Sequence, residues 1–102
     1  MSLRSNPPPV PVGAELFGYV LQVTFSRELR NTSPDPANWS MSFSGTFYYA
    51  DTVEIDRFAV LATMIPLGPD PGPNRCAYAA APADIMDLDG TLAAAFDNFP
   101  LS

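Results

Sequence analysis

Three aspartates near the carboxyl end, Asp84, Asp87 and Asp89, are the residues whose type and spacing could carry chemistry. Carboxylate oxygens are the ligands that calcium and magnesium prefer. Against the spacing of an EF-hand calcium loop, however, Ile85 stands at the first ligand position and Phe96 at the twelfth, so the pattern fails at both ends. Aspartates in such runs more often form turns and begin helices. We therefore predict no metal and no cofactor, with a loosely held cation as the alternative.

The run Asp87–Leu92 reads D-L-D-G-T-L and resembles the D-x-D-G-T-L signature of haloacid dehalogenase-like phosphatases. The resemblance implies that Asp87 attacks phosphate, that Asp89 acts as acid/base, and that the pair binds magnesium. In that family the signature follows a buried strand near the start of a much longer Rossmann-like domain that supplies a later lysine and acidic residues. Here ten residues follow Leu92, and the sequence contains no lysine. We therefore expect neither aspartate to be catalytic.

Other catalytic arrangements are missing from the sequence. Because there is no histidine, no Ser-His or Cys-His pair can form. Glu15, Glu28 and Glu54 could in principle supply a glycosidase carboxylate pair, but nothing in the sequence brings two of them together. Cys76 is the single cysteine, which excludes an intramolecular disulfide and favours a small buried apolar side chain. We expect a protein that is not an enzyme.

Composition narrows the classes of partner. Hydrophobic residues make up 47% of the 102 residues and charged residues 16%, so a single domain can build a core and still leave apolar side chains for a partner. The net charge of −6 and the scattered arginines argue against nucleic acid, which needs clustered cations. The start of the chain has no apolar signal-peptide segment. The apolar stretch 58–66 is too short to span a membrane.

Alternating apolar residues predict four strands and an all-β fold. The strands are expected at Leu16–Phe25, Trp39–Tyr49, Val53–Ile65 and Arg75–Ala81. In the first strand, the side chains expected on one face are Phe17, Tyr19, Leu21, Val23 and Phe25. In the second strand, the corresponding side chains are Trp39, Met41, Phe43, Phe47 and Tyr49, with Gly45 interrupting them at a bulge or a close approach. In the fourth, Cys76, Tyr78 and Ala80 are expected to point inward.

The connections complete the predicted architecture. A turn is expected at Ala50–Thr52, and a change of apolar phase after Asp56–Arg57 predicts a bulge or burial of both faces. Apolar residues recur with helical spacing near the end of the chain, which predicts a short helix over Thr91–Asn98 with Thr91 as N-cap. The predicted fold is a small antiparallel β-sandwich or barrel of about five or six strands, with an extended Pro-rich N-terminal arm and this C-terminal helix.

Two proline-rich segments are candidate contact elements. Residues 1–13 are predicted to form an extended arm, and residues 14–102 a single β-rich domain. The second segment, Pro66–Asn74, is expected to be a surface loop without strand or helix. The residues predicted to contact a partner are Pro7, Pro8, Pro9, Pro11, Pro69, Pro71 and Pro73.

These features favour a non-enzymatic structural protein that assembles with protein partners as a homo-oligomer. An extended arm, a β-rich core and a surface poor in charge are typical of a small virion component, such as a phage capsid cement or decoration protein. We predict no localisation other than the virion. The alternative is a small β-module that binds carbohydrate or peptide. It would use the hydroxyl-rich face of the second strand together with Trp39, Tyr48 and Tyr49.

Overall fold

The computed structural model describes residues 7–101, and they form an all-β fold. The seven strands are β1 (Pro11–Phe17), β2 (Val20–Phe25), β3 (Trp39–Phe43), β4 (Thr46–Asp56), β5 (Ala59–Pro69), β6 (Arg75–Tyr78) and β7 (Phe96–Pro100). All pairs are antiparallel, in the order β1-β2-β5-β4-β3-β6-β7, and the sheet curves into a nearly closed barrel. The described residues contain one short 3₁₀ turn, Pro36–Asn38, and no helix that could cross a membrane.

Each of the first two segments predicted as a single strand instead forms a hairpin, in which a turn joins two paired strands. The segment Leu16–Phe25 breaks at Gly18, where φ is +63°, so that Phe17 pairs with Val20. Such a turn needs a positive φ at its first central residue, which glycine adopts without strain. The segment Trp39–Tyr49 breaks in the same way at residues 44–45, with φ of +50° and +81°. The prediction of uninterrupted strands was wrong because it missed these two-residue turns.

Each turn also inverts the alternation of side chains. The two residues that flank a two-residue turn lie opposite each other and point to the same face of the sheet, so the inward set changes from odd to even positions or the reverse. Phe17 and Tyr49, both expected on the core side, are exposed for this reason. Tyr48, expected on the other face, packs against the core.

The third expected strand is a hairpin as well. Its turn lies at Arg57–Phe58, where a bulge was predicted, and Asp56 pairs with Ala59. The turn expected at Ala50–Thr52 is instead a register shift inside β4. The carbonyls of this turn have partners outside it. The backbone N–H of Leu29 donates to the carbonyl of Arg57, and that of Phe25 donates to the carbonyl of Phe58, at 2.7 Å each.

The last three residues of the predicted arm, 11–13, belong to the sheet. β1 begins at Pro11, and just before it Val10 exchanges hydrogen bonds with Ser26 through its carbonyl (2.9 Å) and its N–H (3.1 Å). An edge strand tolerates proline because one side of its backbone needs no ladder partner. The remainder of the arm, residues 1–6, lies outside the described residues. The second proline-rich segment is also partly strand, since β5 continues to Pro69 and leaves only residues 70–74 as a loop.

The predicted C-terminal helix is wrong. Residues 79–95 form turns and isolated bridges, and β7 follows at Phe96–Pro100. The apolar spacing there arises because Phe96 and Phe99 pair with Tyr78 and Cys76 of β6 and pack against the core. The N–H groups of the connecting segment are bound by side chains, as in Ala81 to Asn38 and Asp84 to Tyr78, or by carbonyls other than those four residues back.

An aromatic cluster fills the end of the barrel next to β7. Trp39 stacks on Tyr78 with ring centroids 4.8 Å apart, and Phe96 contacts both rings edge-on or tilted, at 5.9 and 6.0 Å. Cys76 and Tyr78 are fully buried, as predicted, whereas Ala80 lies beyond the end of β6 at a φ of +51° and is half-buried. Burial of such rings is the main favourable contribution to folding of a domain this small.

The hydroxyl of Tyr78 organises the segment that follows β6. It accepts hydrogen bonds from the backbone N–H groups of Asp84 (2.8 Å) and Ile85 (3.2 Å), and it donates to the Asp84 carboxylate (2.9 Å). Asn38 adds a second anchor, since its side-chain carbonyl accepts from the N–H of Ala81 and its amide donates to the carbonyl of Pro82. Backbone groups that have no sheet partner are thus bound by side chains.

Replacing Gly45 tests the turn between β3 and β4. A Cβ there meets no atom within 4 Å, so Gly45→Val introduces backbone strain at a φ of +81° without a steric clash. We expect a loss of about 1–2 kcal/mol in the free energy of unfolding. Gly68→Val is the matched control, because its Cβ also meets open space and its φ is not in the left-handed region. Equal urea midpoints for the two variants would contradict this assignment.

Removing the Tyr78 hydroxyl tests the anchor. Tyr78→Phe leaves the N–H groups of Asp84 and Ile85 without their acceptor, and we expect a loss of about 2–3 kcal/mol in the free energy of unfolding. Hydrogen exchange of those two amides should accelerate more than exchange in β2. The control is Tyr49→Phe on an exposed tyrosine, which should leave both readouts unchanged. Unchanged exchange at residues 84–85 in Tyr78→Phe would refute the anchor.

Candidate functional site

The Asp87 carboxylate is buried and fully occupied by the fold. Its Oδ1 accepts the backbone N–H groups of Asp89 and Thr91 at 2.9 Å each, and its Oδ2 accepts Nε of Arg27 at 2.9 Å. Only 1% of the residue is exposed to solvent. A carboxylate held in this way closes a turn and cannot reach a phosphate, so the D-L-D-G-T-L run is a structural loop.

The charge state of Asp87 follows from the same contacts. Burial alone would raise the pKa of this carboxyl, but the N–H groups of Thr91 and Asp89 and the Arg27 guanidinium outweigh it and hold the pKa below its usual value. Asp87 therefore remains charged at neutral pH and holds the loop 87–91 against the segment after β2.

Asp84 is also used by the fold. Its Oδ1 accepts the Tyr78 hydroxyl, and its Oδ2 accepts the backbone N–H of Asp35 at 2.7 Å and the Asn38 amide at 3.3 Å. Within residues 7–101, no group of three His, Cys, Asp or Glu side chains is arranged to hold a metal ion. The aspartates singled out in the sequence act as turn and loop organisers.

Cys76, the one thiol, is buried in the core between β3 and β7. Burial raises the pKa of this thiol to about 12, because the thiolate would lose its hydration. The thiol is protonated at neutral pH and has no access to solvent, so it is not a nucleophile.

The two sets of predicted contact prolines lie at opposite ends of the sheet. Pro11 starts β1 beside the β4–β5 turn, whereas Pro69 ends β5, ten residues and roughly 33 Å along the strand from Ala59. Pro9 is buried in its own chain. Those at the surface are Pro7, Pro8, Pro69, Pro71 and Pro73. A partner contact by these prolines stays a prediction.

The hydroxyl-rich face of β3 points outward, as its alternation predicts, but the fold uses part of it. Ser42 is buried beneath the loop 70–74, where its hydroxyl donates to the Asp70 carboxylate. This hydrogen bond, with the Gly72 N–H and the Arg75 guanidinium, lowers the pKa of Asp70. Trp39 lies in the core and is not available to a ligand, contrary to the sequence-based hypothesis.

An open groove runs along the outer face beside β6, a feature that the sequence analysis missed. Its volume is about 490 Å³. We call it the β6 groove and define it by Ala37, Ser40, Ala77, Ala79, Ala95 and Asp97. A smaller depression of about 60 Å³ continues it toward Arg75 and shares Ser40, Ala77 and Asp97. The feature of the sequence that could have predicted this groove is the alanine at each outward position after Arg75, Ala77 and Ala79.

A cluster of large apolar side chains covers another part of the outer surface. Its members lie on β1, on the β1–β2 turn and on β4 and β5, and register brings them together across β2, because Phe17 pairs with Val20, Val20 with Thr63, and Tyr49 with Ile65. We call this surface the aromatic face and define it by Phe17, Tyr19, Tyr49, Ile65 and Leu67. Tyr19 and Leu67 are 63% and 66% exposed. The cluster is roughly 14 Å wide across the strands.

The structural role of Asp87 is tested by its pH dependence. Because the folded pKa lies below the unfolded value of about 3.9, ionised Asp87 stabilises the fold above that pH, and the stabilisation is lost as pH falls through the folded pKa. We expect Asp87→Asn to lower the urea midpoint at pH 7 and to differ progressively less from the parent below pH 4. Asp51→Asn, on the exposed bulge of β4, is the control. A midpoint difference for Asp87→Asn that is independent of pH would contradict the charged pair.

The aromatic face and the β6 groove are two surfaces of the described residues whose side chains the fold itself does not use. Comparison with protein-family models, with curated proteins and with solved structures found no match to this chain.

Proposed function

We propose that this chain is a non-enzymatic structural protein that associates with further copies of itself through the aromatic face. The observation that carries the proposal is the exposure of large apolar side chains on β1, the β1–β2 turn, β4 and β5. Exposed apolar residues scattered singly are ordinary, whereas a contiguous group of this kind marks an interaction surface.

The charges around the aromatic face support contact between identical copies. The acidic residues nearest to the aromatic face are Asp51, on the exposed bulge two residues after Tyr49, and Glu15 and Glu54, one outward row away. The side chains that define the face carry no charge themselves, so two copies can pack it together about a two-fold axis with these carboxylates around it. The net charge of −6 on each copy then opposes association, and salt should strengthen it.

The proline-rich loop fits the same arrangement. Pro69 lies two residues after Leu67, so the loop 70–74 borders the aromatic face. Asp70 stiffens this loop through Ser42 and Arg75, which lowers the entropy cost of forming a contact there. The narrower hypothesis of a capsid cement or decoration protein stays a prediction from the character of the sequence.

A carbohydrate- or peptide-binding β-module is the second candidate. Burial of Trp39 removes the central aromatic residue of that hypothesis, and Tyr48 packs against the core. The observation that favours it is the β6 groove, which includes the outward Ser40.

Association through the aromatic face is tested with Leu67→Ser. Burying one leucine contributes about 2 kcal/mol, so we expect association to weaken at least tenfold when the side chain is removed. The measurement is the solution mass by light scattering over a range of protein and salt concentrations. Leu88→Ser is the matched control, since Leu88 is 55% exposed but lies in the loop 87–91, away from the face.

The parent chain should form a dimer or larger closed oligomer whose dissociation constant falls as salt rises. A parent chain that stays monomeric at high protein and salt concentrations would overturn self-association. Equal weakening by the two leucine variants would move the interface away from the aromatic face.

A further inference from the structure

We propose that the β6 groove binds an extended peptide segment that carries a basic side chain, with Asp97 as the partner of that side chain. The groove shares no residue with the aromatic face, although the two surfaces adjoin where Ser40 pairs with Tyr49. The experiment below therefore separates binding in the groove from self-association with a variant of the aromatic face.

The shape of the groove suits an extended chain. At about 490 Å³ it falls within the range of ligand-binding sites, but it is open to solvent along its length. Its base follows β6 and the residue after it, where the side chains of Ala77 and Ala79 are small enough for a peptide backbone to approach closely. With the depression toward Arg75, it extends over four residue steps, roughly 13 Å. This length matches an extended segment of about four residues.

Two polar groups on opposite sides of the groove are not used by the fold. The Ser40 hydroxyl makes no hydrogen bond with any of residues 7–101. The exposed Asp97 carboxylate accepts only the N–H of the adjacent Asn98, at 2.8 Å. Ser42, one outward position from Ser40, is by contrast bound to Asp70. A hydroxyl and a carboxylate that face each other across a groove can bind a peptide N–H and a cationic side chain.

The electrostatics select a basic segment. Asp97 lies on one side of the groove, and Asp35 begins the 3₁₀ turn that forms the other side. Arg75, the cation nearest to the groove, is paired with Asp70 at 3.1 Å. The groove therefore has a negative potential, which the net charge of −6 reinforces. Complementary charge favours encounter with a lysine- or arginine-bearing peptide and disfavours an acidic one.

The experiment is a nuclear magnetic resonance titration with two peptides. The basic probe is acetyl-Thr-Lys-Thr-Arg-Thr-amide and the acidic control is acetyl-Thr-Glu-Thr-Glu-Thr-amide. We expect the basic peptide to shift the amide signals of Ser40, Ala77, Ala79 and Asp97 saturably, and the acidic peptide to shift none of them. Repeating the titration on Leu67→Ser separates groove binding from self-association, because that variant changes only the aromatic face.

Variants assign the interaction to the groove. Because an ion pair at an exposed carboxylate is weak, Asp97→Asn should weaken binding of the basic peptide about threefold. Ala79→Phe should abolish binding by filling the groove, and Asp51→Asn should change the affinity less than twofold.

Three results would each overturn the proposal. The first is the absence of saturable shifts at millimolar basic peptide. The second is equal binding of the acidic peptide. The third is an unchanged affinity in Asp97→Asn, which would show that the carboxylate does not select the ligand.

Discussion

The buried hydroxyl of Tyr78 is the contact on which the second half of the molecule depends. Residues 79–95 have almost no sheet hydrogen bonds, and buried backbone N–H groups without partners would cost several kcal/mol in total. Tyr78 binds two of these groups while its ring stacks on Trp39, which joins the segment to the aromatic core. With the segment held in place, the chain returns along β6 as β7 and nearly closes the barrel.

The two-residue turns decide which side chains reach the surface. Alternation along an uninterrupted strand would bury Phe17 and Tyr49, but the turns at residues 18–19 and 44–45 invert the alternation and place both on the outside. The proposed association surface therefore exists because of two backbone conformations. The same inversion sends Tyr48 toward the core, opposite the buried Met41 of β3.

Some polar side chains complete the fold, whereas others are placed where the proposed peptide would lie. The carboxylates of Asp84 and Asp87 accept hydrogen bonds from backbone N–H groups of loops, and Asp87 also pairs with the Arg27 guanidinium. The D-L-D-G-T-L run, which resembles a phosphatase signature, therefore has a structural role in this fold. Ser40 and Asp97, which belong to no motif, are the polar groups beside the groove that the fold leaves unused. Hydrogen-bond accounting, rather than residue type, separates the two classes.

The sequence by itself determined the all-β class, the inward set of β6 with Cys76 in the core, and the use of the aspartates as turn formers, because these follow from local alternation and turn chemistry. Tertiary structure decided the rest. The register of each hairpin determines which face of its strands is buried. Pairing with β6, which is distant in sequence, makes residues 96–100 a strand, although the spacing of their apolar residues also suits a helix. The groove and the aromatic face combine residues distant in sequence, so only the folded sheet could bring them together.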